Sequence, residues 1–478
     1  MIAVLLLLSL GVLPRTPTVE QVGLSKEVDL TKEHESRRFV VIPAPCLTPE
    51  LLASETLRLA AAHPDQIRIE TIGTSFHGKD IRMMSIGRGP KSILLWSQMH
   101  GDEPSATPAL LDLADFLSRG KARPEISTIL DAFTLRIIPM LNPDGASDYE
   151  RRNAQGIDIN RDALMLTTPE GQLLKSVRDR FSPFLGFNLH DQGRRIMVGE
   201  TGVLSSISLL AVSGDPKGVL THGRLRAKRV ASRIVNTLSP LIPGGIARYD
   251  EDWNPRAFGD NITAWGSPVV LIESGAFPKG GGFQELTRLN FVALVEVLDG
   301  LARNDLKDLS PEAYDGLLRN QADAYADVAI NGVSILDPRS GKWFEADVAF
   351  DILASDQTVA GCASAPRTSS RVVEIGDSRV IAPARKIDGR GLALASLSKD
   401  RGLNPGPITA ETLIALHPNA LSVADNPRAL LSALRLSEAG LRRNGEATFV
   451  VFVPDPGAEG GGRYFVVVDG AGLPESLK

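Results

Sequence analysis

The sequence predicts an α/β fold for the first part of the chain, with a mixed, largely parallel central sheet that has helices on both faces. Short apolar runs bounded by Gly, Pro or Asn indicate its strands: SILLWSQ, TLRIIPML, FLGFNL and SPVVLIES. Helical patterns separate these runs, and near-continuous apolar strands are typical of sheets covered on both faces. Later strand-like runs predict a smaller, strand-rich C-terminal α+β domain.

Helix signatures stand at both ends of the first domain. LTPELLASETLRLAAAHPD predicts a helix in which Thr48 is the N-cap before Pro49. FQELTRLNFVALVEVLDGLARN has apolar residues at helical spacing and predicts the last helix of this domain. In the C-terminal part, VAINGVSIL, ADVAFDIL, ATFVVFVP and RYFVVVDG predict strands, and NPRALLSALRLSEAGLRR predicts a helix starting near Pro427.

A chain of 478 residues favours two or three domains. We predict a signal peptide over 1–20, a domain carrying the site over 40–304, a linker over 305–325 and an accessory C-terminal domain over 326–478. The accessory domain has no site-like cluster. It could bind a partner, a glycan or a substrate tail, or brace the first domain.

The net charge of −5 favours neither nucleic acid nor an anionic membrane as a partner. The apolar run from Ile2 to Leu13 has the length of a signal-peptide core and is too short to span a bilayer. We therefore expect export to the periplasm or the extracellular space, without a stable membrane anchor. The alternative is a mistranslated or truncated start, because no Lys or Arg precedes the run.

Two cysteines, Cys46 and Cys362, exclude a disulfide scaffold and a cysteine-based zinc site. Whether they pair with each other is left open, as is the oligomeric state.

Each of the four apolar runs ends in polar residues. In open α/β sheets, ligands bind beyond the carboxyl ends of the strands. We therefore expect one site to combine the polar residues that follow the runs, namely His100 and Glu103, Asn142 to Gly145, His190 and Asp191, and Glu273 and Ser274.

Two His and one Glu form an established ligand set for a catalytic zinc, and His100, Glu103 and His190 supply it. Alone, His100 and Glu103 could be an ordinary polar turn, and His190 a structural residue at a strand end. Glu273 follows a very apolar run, where a carboxylate is costly unless it is paired or functional. It can take a proton from a zinc-bound water, although a solvent-facing Glu is the alternative.

The stretch YERRNAQGIDINRDA contains Arg side chains, whose paired donors suit carboxylate recognition. The alternative is an ordinary solvated loop, which the rigid GIDIN core disfavours.

In this order, HGDE, NPDG, RRNAQGIDINRD, NLHDQ and LIESG resemble the zinc carboxypeptidases of the funnelin type, and GTSFHGKDIRMMSIGRG resembles their early strands. The resemblance covers roughly Leu47 to Asn304. It implies one Zn²⁺ ion, a carboxypeptidase fold and hydrolysis of the C-terminal peptide bond of a peptide with a free C-terminus.

The resemblance also implies a role for each matched residue. His100, Glu103 and His190 are the expected zinc ligands, and Glu273 is the expected general base and acid. Arg151, rather than Arg152, is expected to polarise the scissile carbonyl, and Asn160 and Arg161 are expected to bind the terminal carboxylate. Asp158 is expected to orient the first zinc His, and Tyr249 is expected to cover the substrate.

The sequence departs from the family pattern in several places. NRD replaces the commoner NRN, Tyr249 lies in a poorly matching stretch, and the region from Asp215 to Pro268 does not align, so side-chain specificity is not predicted. A murein-peptide amidase or an N-acyl amino acid deacylase would use the same zinc site. A binding module that has lost activity is the alternative of another class, although such relatives usually lack a ligand or the base.

Overall fold

The computed structural model describes residues 29–39, 47–250, 253–277, 282–322, 324–355, 367–396, 406–407, 441, 449–454 and 462–467. The predicted signal peptide and both cysteines lie outside these ranges, as does the helix predicted near Pro427 apart from Leu441.

An eight-stranded mixed sheet organises the first domain, in the order β1-β2-β4-β3-β5-β9-β7-β8. The inner strands β4, β3, β5 and β9 run parallel to one another, whereas β1, β2 and β7 each have an antiparallel neighbour. The strands up to β9 are β1 Ile67–Thr74, β2 Asp80–Ile86, β3 Lys91–Trp96, β4 Phe133–Ile138, β5 Leu185–Asp191, β6 Met197–Val198, β7 Ile207–Ala211, β8 Ile246–Arg248 and β9 Val269–Ser274. The four apolar runs are thus β3, β4, β5 and β9, as predicted.

Helices cover both faces of this sheet, as the sequence predicts. One core contains the apolar residues of α3, α7 and α9, and the other contains those of α6 and α8. The helices are α1 Leu30–Arg37, α2 Pro49–Ala62, α3 Ala106–Arg119, α4 Pro124–Ala132, α5 Pro143–Asp148, α6 Pro169–Phe181, α7 His222–Leu238, α8 Phe258–Ala264, α9 Phe283–Ala302 and α10 Glu312–Asp315. Within the described ranges, no helix combines the length and the hydropathy that a membrane span needs.

Strand β3 explains why the central runs are apolar without interruption. Ile93 and Leu95 belong to one core, and Leu94 and Trp96 to the other. Successive side chains of a strand point to opposite faces, so a strand covered on both sides needs apolar residues at every position.

The two helices predicted at the ends of the first domain are present as α2 and α9, and the predicted start of α2 is confirmed. The Oγ1 atom of Thr48 accepts a hydrogen bond from the backbone nitrogen of Leu51 at 3.2 Å, and Pro49 occupies the first turn. A hydroxyl at this position satisfies a backbone donor that the helix itself leaves unpaired.

A second, strand-rich sheet follows, in the order β13-β12-β11-β15-β17-β18-β16, and β14 pairs with β11. The four runs predicted as C-terminal strands lie in β11, β12, β17 and β18. The strands after β9 are β10 Asn320–Gln321, β11 Tyr325–Leu336, β12 Trp343–Ser355, β13 Arg367–Gly376, β14 Ala382–Asp388, β15 Ala393–Ser396, β16 Gly406–Pro407, β17 Phe449–Pro454 and β18 Gly462–Val467.

The segment predicted as a linker packs closely on the first domain. Leu306 and Tyr314 are buried in its core, and the Tyr314 hydroxyl accepts a hydrogen bond from the backbone nitrogen of Ala211 on β7 at 3.0 Å. Residues 320–321 form β10, which pairs with β6. This segment therefore holds a fixed position beside the carboxyl ends of the strands.

Candidate metal centre and substrate cleft

The turn between β3 and α3 holds His100 and Glu103. A Cβ atom at Gly101 would overlap the backbone of Gly145 on α5, so the turn and that helix approach each other more closely than a side chain allows. The Gly145 nitrogen donates to the Asn142 side chain at 2.9 Å. A Cβ atom at Gly145 would in turn lie 2.6 Å from the Arg152 carbonyl oxygen. Close backbone approaches thus explain the glycine of HGDE and the glycine of NPDG.

His100, Glu103 and His190 form a compact buried group. The two carboxylate oxygens of Glu103 lie 2.7 Å from His100 Nδ1 and 2.6 Å from His190 Nδ1. One ligand atom from each residue lies within 4.8 Å of the others. This arrangement matches a two-His, one-Glu zinc site, and the three predicted ligands do converge.

Asp158 contacts the first of these histidines. Its Oδ1 atom lies 3.1 Å from His100 Nε2, and the same carboxylate accepts a hydrogen bond from the Asn160 nitrogen at 2.9 Å. When Nε2 donates to Asp158, Nδ1 is left as the atom that can bind a metal. The structure thus places Asp158 behind the ligand, where the resemblance implies it should be.

The charges of the group favour a bound cation. Although burial opposes it, the imidazoles of His190 and His100 hold the pKa of Glu103 below its usual range. Burial, together with the Glu103 and Asp191 carboxylates, raises the pKa of Glu273 well above its usual range. Buried carboxylates in such proximity are stabilised by positive charge between them, which a divalent metal would provide. The donor set and its surroundings therefore fit zinc.

Glu273 ends β9 beside the third predicted ligand. In the parallel pairing of β5 with β9, His190 and Glu273 are register partners. Glu273 is buried and lines the same cleft as His190. The sheet itself therefore sets the spacing between the predicted base and the metal group.

The two neighbouring arginines of the RRN motif have different surroundings. Arg151 contacts a Glu103 oxygen at 3.1 Å and Asp158 at 3.0 Å, and its side chain is 42% exposed, so it borders the metal group and remains open to the cleft. Arg152 donates to the Gly156 carbonyl oxygen at 3.0 Å and is not among the residues that line the cleft. This geometry favours Arg151 for the role that the resemblance implies.

Asn160 and Arg161 lie on a short 3-10 turn, Ile159–Arg161, that opens onto the cleft. The Asn160 Oδ1 atom accepts a hydrogen bond from the Phe258 nitrogen at 2.9 Å, which leaves its amide nitrogen as the donor for a ligand. Arg161 Nη1 donates to the Asn160 carbonyl oxygen at 2.7 Å. Both residues thus present donors to one region of the cleft.

The Asp of NRD has a structural role. Asp162 is buried and accepts hydrogen bonds from the Thr167 nitrogen at 2.9 Å, the Thr168 nitrogen at 2.7 Å and the Thr168 hydroxyl at 2.8 Å. Thr168 is in turn the N-cap of α6. The departure from NRN therefore ties the predicted anchor Arg161 to the start of a helix.

Tyr249 also lines the cleft, although its sequence context matches the family poorly. The Glu273 carboxylate and burial raise the pKa of its hydroxyl. The structure thus brings Tyr249 close to the predicted base.

These residues share one cleft of about 730 Å³ at the carboxyl ends of the strands. Its lining includes the three predicted ligands, Glu273 and the predicted substrate-binding residues. Asp158 lies behind His100, and Asn142 to Gly145 and Ser274, which were also expected at this site, do not line the cleft. A smaller cavity of about 330 Å³ also borders Glu103 and Arg151. The metal group therefore lies where the two spaces meet.

Sequence reasoning expected Asp191 at this site without giving it a role, and it missed other residues of the cleft. Asp191 accepts a hydrogen bond from the Ser105 nitrogen at 3.0 Å, and burial and Glu103 raise its pKa to about 7. Burial raises the pKa of Asp260 to about 6. Asp191 was expected here because it follows the FLGFNL run, whereas no motif marks Asp260. The cleft residues Arg319 and Asn320 come from the segment predicted as a linker.

Comparison with known proteins agrees with this geometry. Residues 53–173 match the zinc carboxypeptidase family. Carboxypeptidase SOL1 of Arabidopsis thaliana is 35% identical over 102 residues, which cover 20% of this chain and 21% of that protein. Carboxypeptidase M of Mus musculus is 30% identical over 110 residues, which cover 20% of this chain and 25% of that protein. The chain thus spans about a fifth to a quarter of the length of these curated relatives.

Solved structures of metallo-carboxypeptidases are similar to part of this chain. Those from Burkholderia cenocepacia and Pseudomonas aeruginosa have a TM-score of 0.43 and are 16% and 21% identical, and the similarity covers 53% of this chain and 69% of each of those chains. The family match confirms the resemblance that the motifs indicate: the chain is related to the zinc carboxypeptidases over residues 53–173. The match and the His–Glu–His group agree on zinc as the metal.

Proposed function

We propose that the protein is a zinc-dependent metallocarboxypeptidase that hydrolyses the C-terminal peptide bond of peptides. The observation that carries this proposal is the convergence of His100, Glu103 and His190 with Glu273 in a cleft whose wall also holds Asn160 and Arg161. A metal group, a base and a carboxylate-binding pair in one cleft are the parts that this reaction needs.

Substrate binding depends on Asn160 and Arg161. A terminal carboxylate between them would accept hydrogen bonds from the Asn160 amide and the Arg161 guanidinium. Such charge-assisted bonds are stronger than neutral ones and fix orientation as well as affinity. The peptide would thereby be held with its last bond beside the metal group.

A zinc ion held by His100, Glu103 and His190 would lower the pKa of a bound water and polarise a carbonyl oxygen. Glu273 accepts the proton of the attacking water on a carboxylate oxygen and returns it to the departing amine. Its carboxylate is largely buried and lines the cleft beside His190, where it can act in both transfers.

Arg151 stabilises the oxyanion that develops on the scissile carbonyl. Its guanidinium is already oriented by Asp158 and Glu103, so little reorganisation is needed when charge appears. Preorganised donors of this kind are worth about 3 to 4 kcal/mol in well-studied enzymes.

Two other substrate classes remain alternatives for the same site, and the cellular location of the protein is a separate proposal. A murein-peptide amidase or an N-acyl amino acid deacylase would use the same metal group and base, and we propose a periplasmic or extracellular location on the sequence alone. The loss of activity that would make the chain a binding module is disfavoured, because all of the expected ligands and the base are present.

The test is hydrolysis by the purified full chain of four substrate sets: free peptides, C-terminally amidated peptides, muropeptides and N-acyl amino acids. We expect release of the last residue from free peptides, inhibition by a chelator and recovery on addition of zinc. Hydrolysis of only the muropeptides or the acyl amino acids would select those alternatives. Bound zinc without hydrolysis of any set would point to a binding module.

A further inference from the structure

The segment that leaves the first domain runs along the mouth of the cleft. The Leu318 carbonyl oxygen accepts a hydrogen bond from the Arg248 nitrogen at 2.7 Å, and the Arg319 carbonyl oxygen accepts one from the Gly199 nitrogen at 2.8 Å. The next two residues pair with β6 through Asn320 opposite Val198. The segment is therefore fixed on one side by the strand that leads to Tyr249 and on the other by the chain that follows His190.

Its side chains contribute directly to the cleft wall. Arg319, Asn320 and Ala322 line the same space as Arg161. Arg319 lies 3.7 Å from Asp250, and 58% of each side chain is exposed, so the guanidinium is only loosely held. Loose ion pairs of this kind contribute little to stability, which leaves the charge available to a ligand.

Gln192, two residues after His190, provides a second indication. Its Oε1 atom lies 3.4 Å from Asn320 Nδ2, whereas its Nε2 atom is buried and has no hydrogen-bond partner among the described residues. A buried donor without a partner is costly. Because Gln192 lines the cleft, rotation of its amide towards the cleft would let this nitrogen bind an acceptor on a substrate and would remove the cost.

We propose that Arg319 and Asn320 determine substrate specificity by binding, together with Gln192, a hydrogen-bond acceptor on the side chain of the released residue. A carboxylate or an amide oxygen is the group that suits a guanidinium and two amides. The released residue is the relevant one because its anchors, Asn160 and Arg161, line this cleft and not the smaller cavity. This inference rests on the proposed function. Arg319 and Asn320 lie beyond the 53–173 match and beyond the span of the motifs.

The test compares three peptides that differ only in a C-terminal Glu, Gln or Met, which have side chains of similar length. The wild-type full chain should have a higher kcat/KM for Glu and Gln than for Met. Arg319→Ala and Asn320→Ala should each lower kcat/KM for Glu and Gln by about three- to tenfold, mainly through KM, and leave Met within about twofold. Gln321→Ala is the matched control, since Gln321 is on the same strand but does not line the cleft.

A variant that reverses the charge at position 319 separates an effect of charge from the mere loss of a contact. Arg319→Glu should lower kcat/KM for the Glu peptide more than for the Gln peptide. The specificity role would be overturned if either Arg319 variant lowered kcat/KM equally for all three peptides, or left kcat/KM unchanged for all three in an active enzyme. The proposed function would stand in either case. A wild-type chain that released other C-terminal residues but none of these three would overturn the specificity role alone. A wild-type chain that released no C-terminal residue from any free peptide would overturn both.

Discussion

The Arg161 side chain is positioned at the cleft by its own turn. Its Nη1 atom donates to the Asn160 carbonyl oxygen, and one bond of this kind orients the planar group, which can still offer N–H pairs to a carboxylate.

We expect Arg161→Ala to raise KM about ten- to a hundredfold for peptides with a free C-terminus, because a hydrogen bond to a charged group is lost. Peptides with an amidated C-terminus should hardly respond. Steady-state kinetics on matched free and amidated peptides give the measurement, with Arg152→Ala as the control, since Arg152 is exposed and bonded to Gly156. Equal changes for the two kinds of peptide would remove the carboxylate-anchor role.

Residue identities in the metal group could be predicted from sequence for a clear reason. His100, His190 and Glu273 each follow an apolar run, and the parallel order of β3, β5 and β9 brings the ends of these runs together. Asp260 and Gln192 could not be identified in this way. Asp260 lies on a helix in the region that does not align, and an amide side chain such as Gln192 is not a residue type that singles out a site.

The loop that carries Asn160 and Arg161 depends on one buried carboxylate. Asp162 accepts three hydrogen bonds from Thr167 and Thr168, which join this loop to the N-terminus of α6.

We expect Asp162→Ala to lower the free energy of unfolding by about 1–3 kcal/mol, because three donors lose their acceptor in a buried position. Urea denaturation of the full chain measures this. The control is Asp65→Ala, at an exposed turn, which should change the value by less than about 0.5 kcal/mol. If both variants unfolded at the wild-type urea concentration, Asp162 would have no structural role.

Element boundaries were predictable where local chemistry sets them, as at Thr48 and Pro49 before α2. The pairing of β6 with β10 was not, since two-residue strands have no periodicity to detect. Asn320 and Gln192 contact each other in the wall of the cleft, although 128 positions separate them in the chain. Only the tertiary fold brings them together.

The two sheets are also joined beside the metal group. Arg195, on the chain that leaves β5, contacts Asp327 on β11 at 2.6 Å and donates to the Ile352 carbonyl oxygen on β12 at 3.1 Å. Its guanidinium also lies 5.6 Å from the ring centre of Tyr325. The C-terminal part of the chain thereby helps to hold the loop between His190 and β6.

A double-mutant cycle should detect this link. With side chains 24% and 20% exposed, Arg195 and Asp327 should have a coupling energy of about 0.5–1.5 kcal/mol in the unfolding of the full chain. Arg379 and Asp377, an ion pair on an exposed turn, are the control and should show no measurable coupling. Coupling of equal size in the two pairs would mean that Arg195 does not join the sheets.

The architecture of the whole molecule was predictable as one mixed sheet with helices on both faces followed by a strand-rich part, because periodicity and apolar runs report on each element separately. The close packing of residues 305–322 on the first domain was not, since a polar segment gives no indication of what it contacts. Tyr314 shows this: its ring is buried, and its hydroxyl bonds to β7, which a polar neighbourhood in the sequence conceals.

The central claim is that a zinc-bound site uses Glu273 as its base, and one paired measurement on Glu273→Gln tests it most directly. Zinc content and turnover of a good peptide substrate are determined on the same preparation, beside the wild type. We expect one zinc per chain to be retained, since Glu273 is not a ligand, and turnover to fall by at least about 10²- to 10⁴-fold. A variant that retains zinc and hydrolyses the peptide at the wild-type rate would contradict the account.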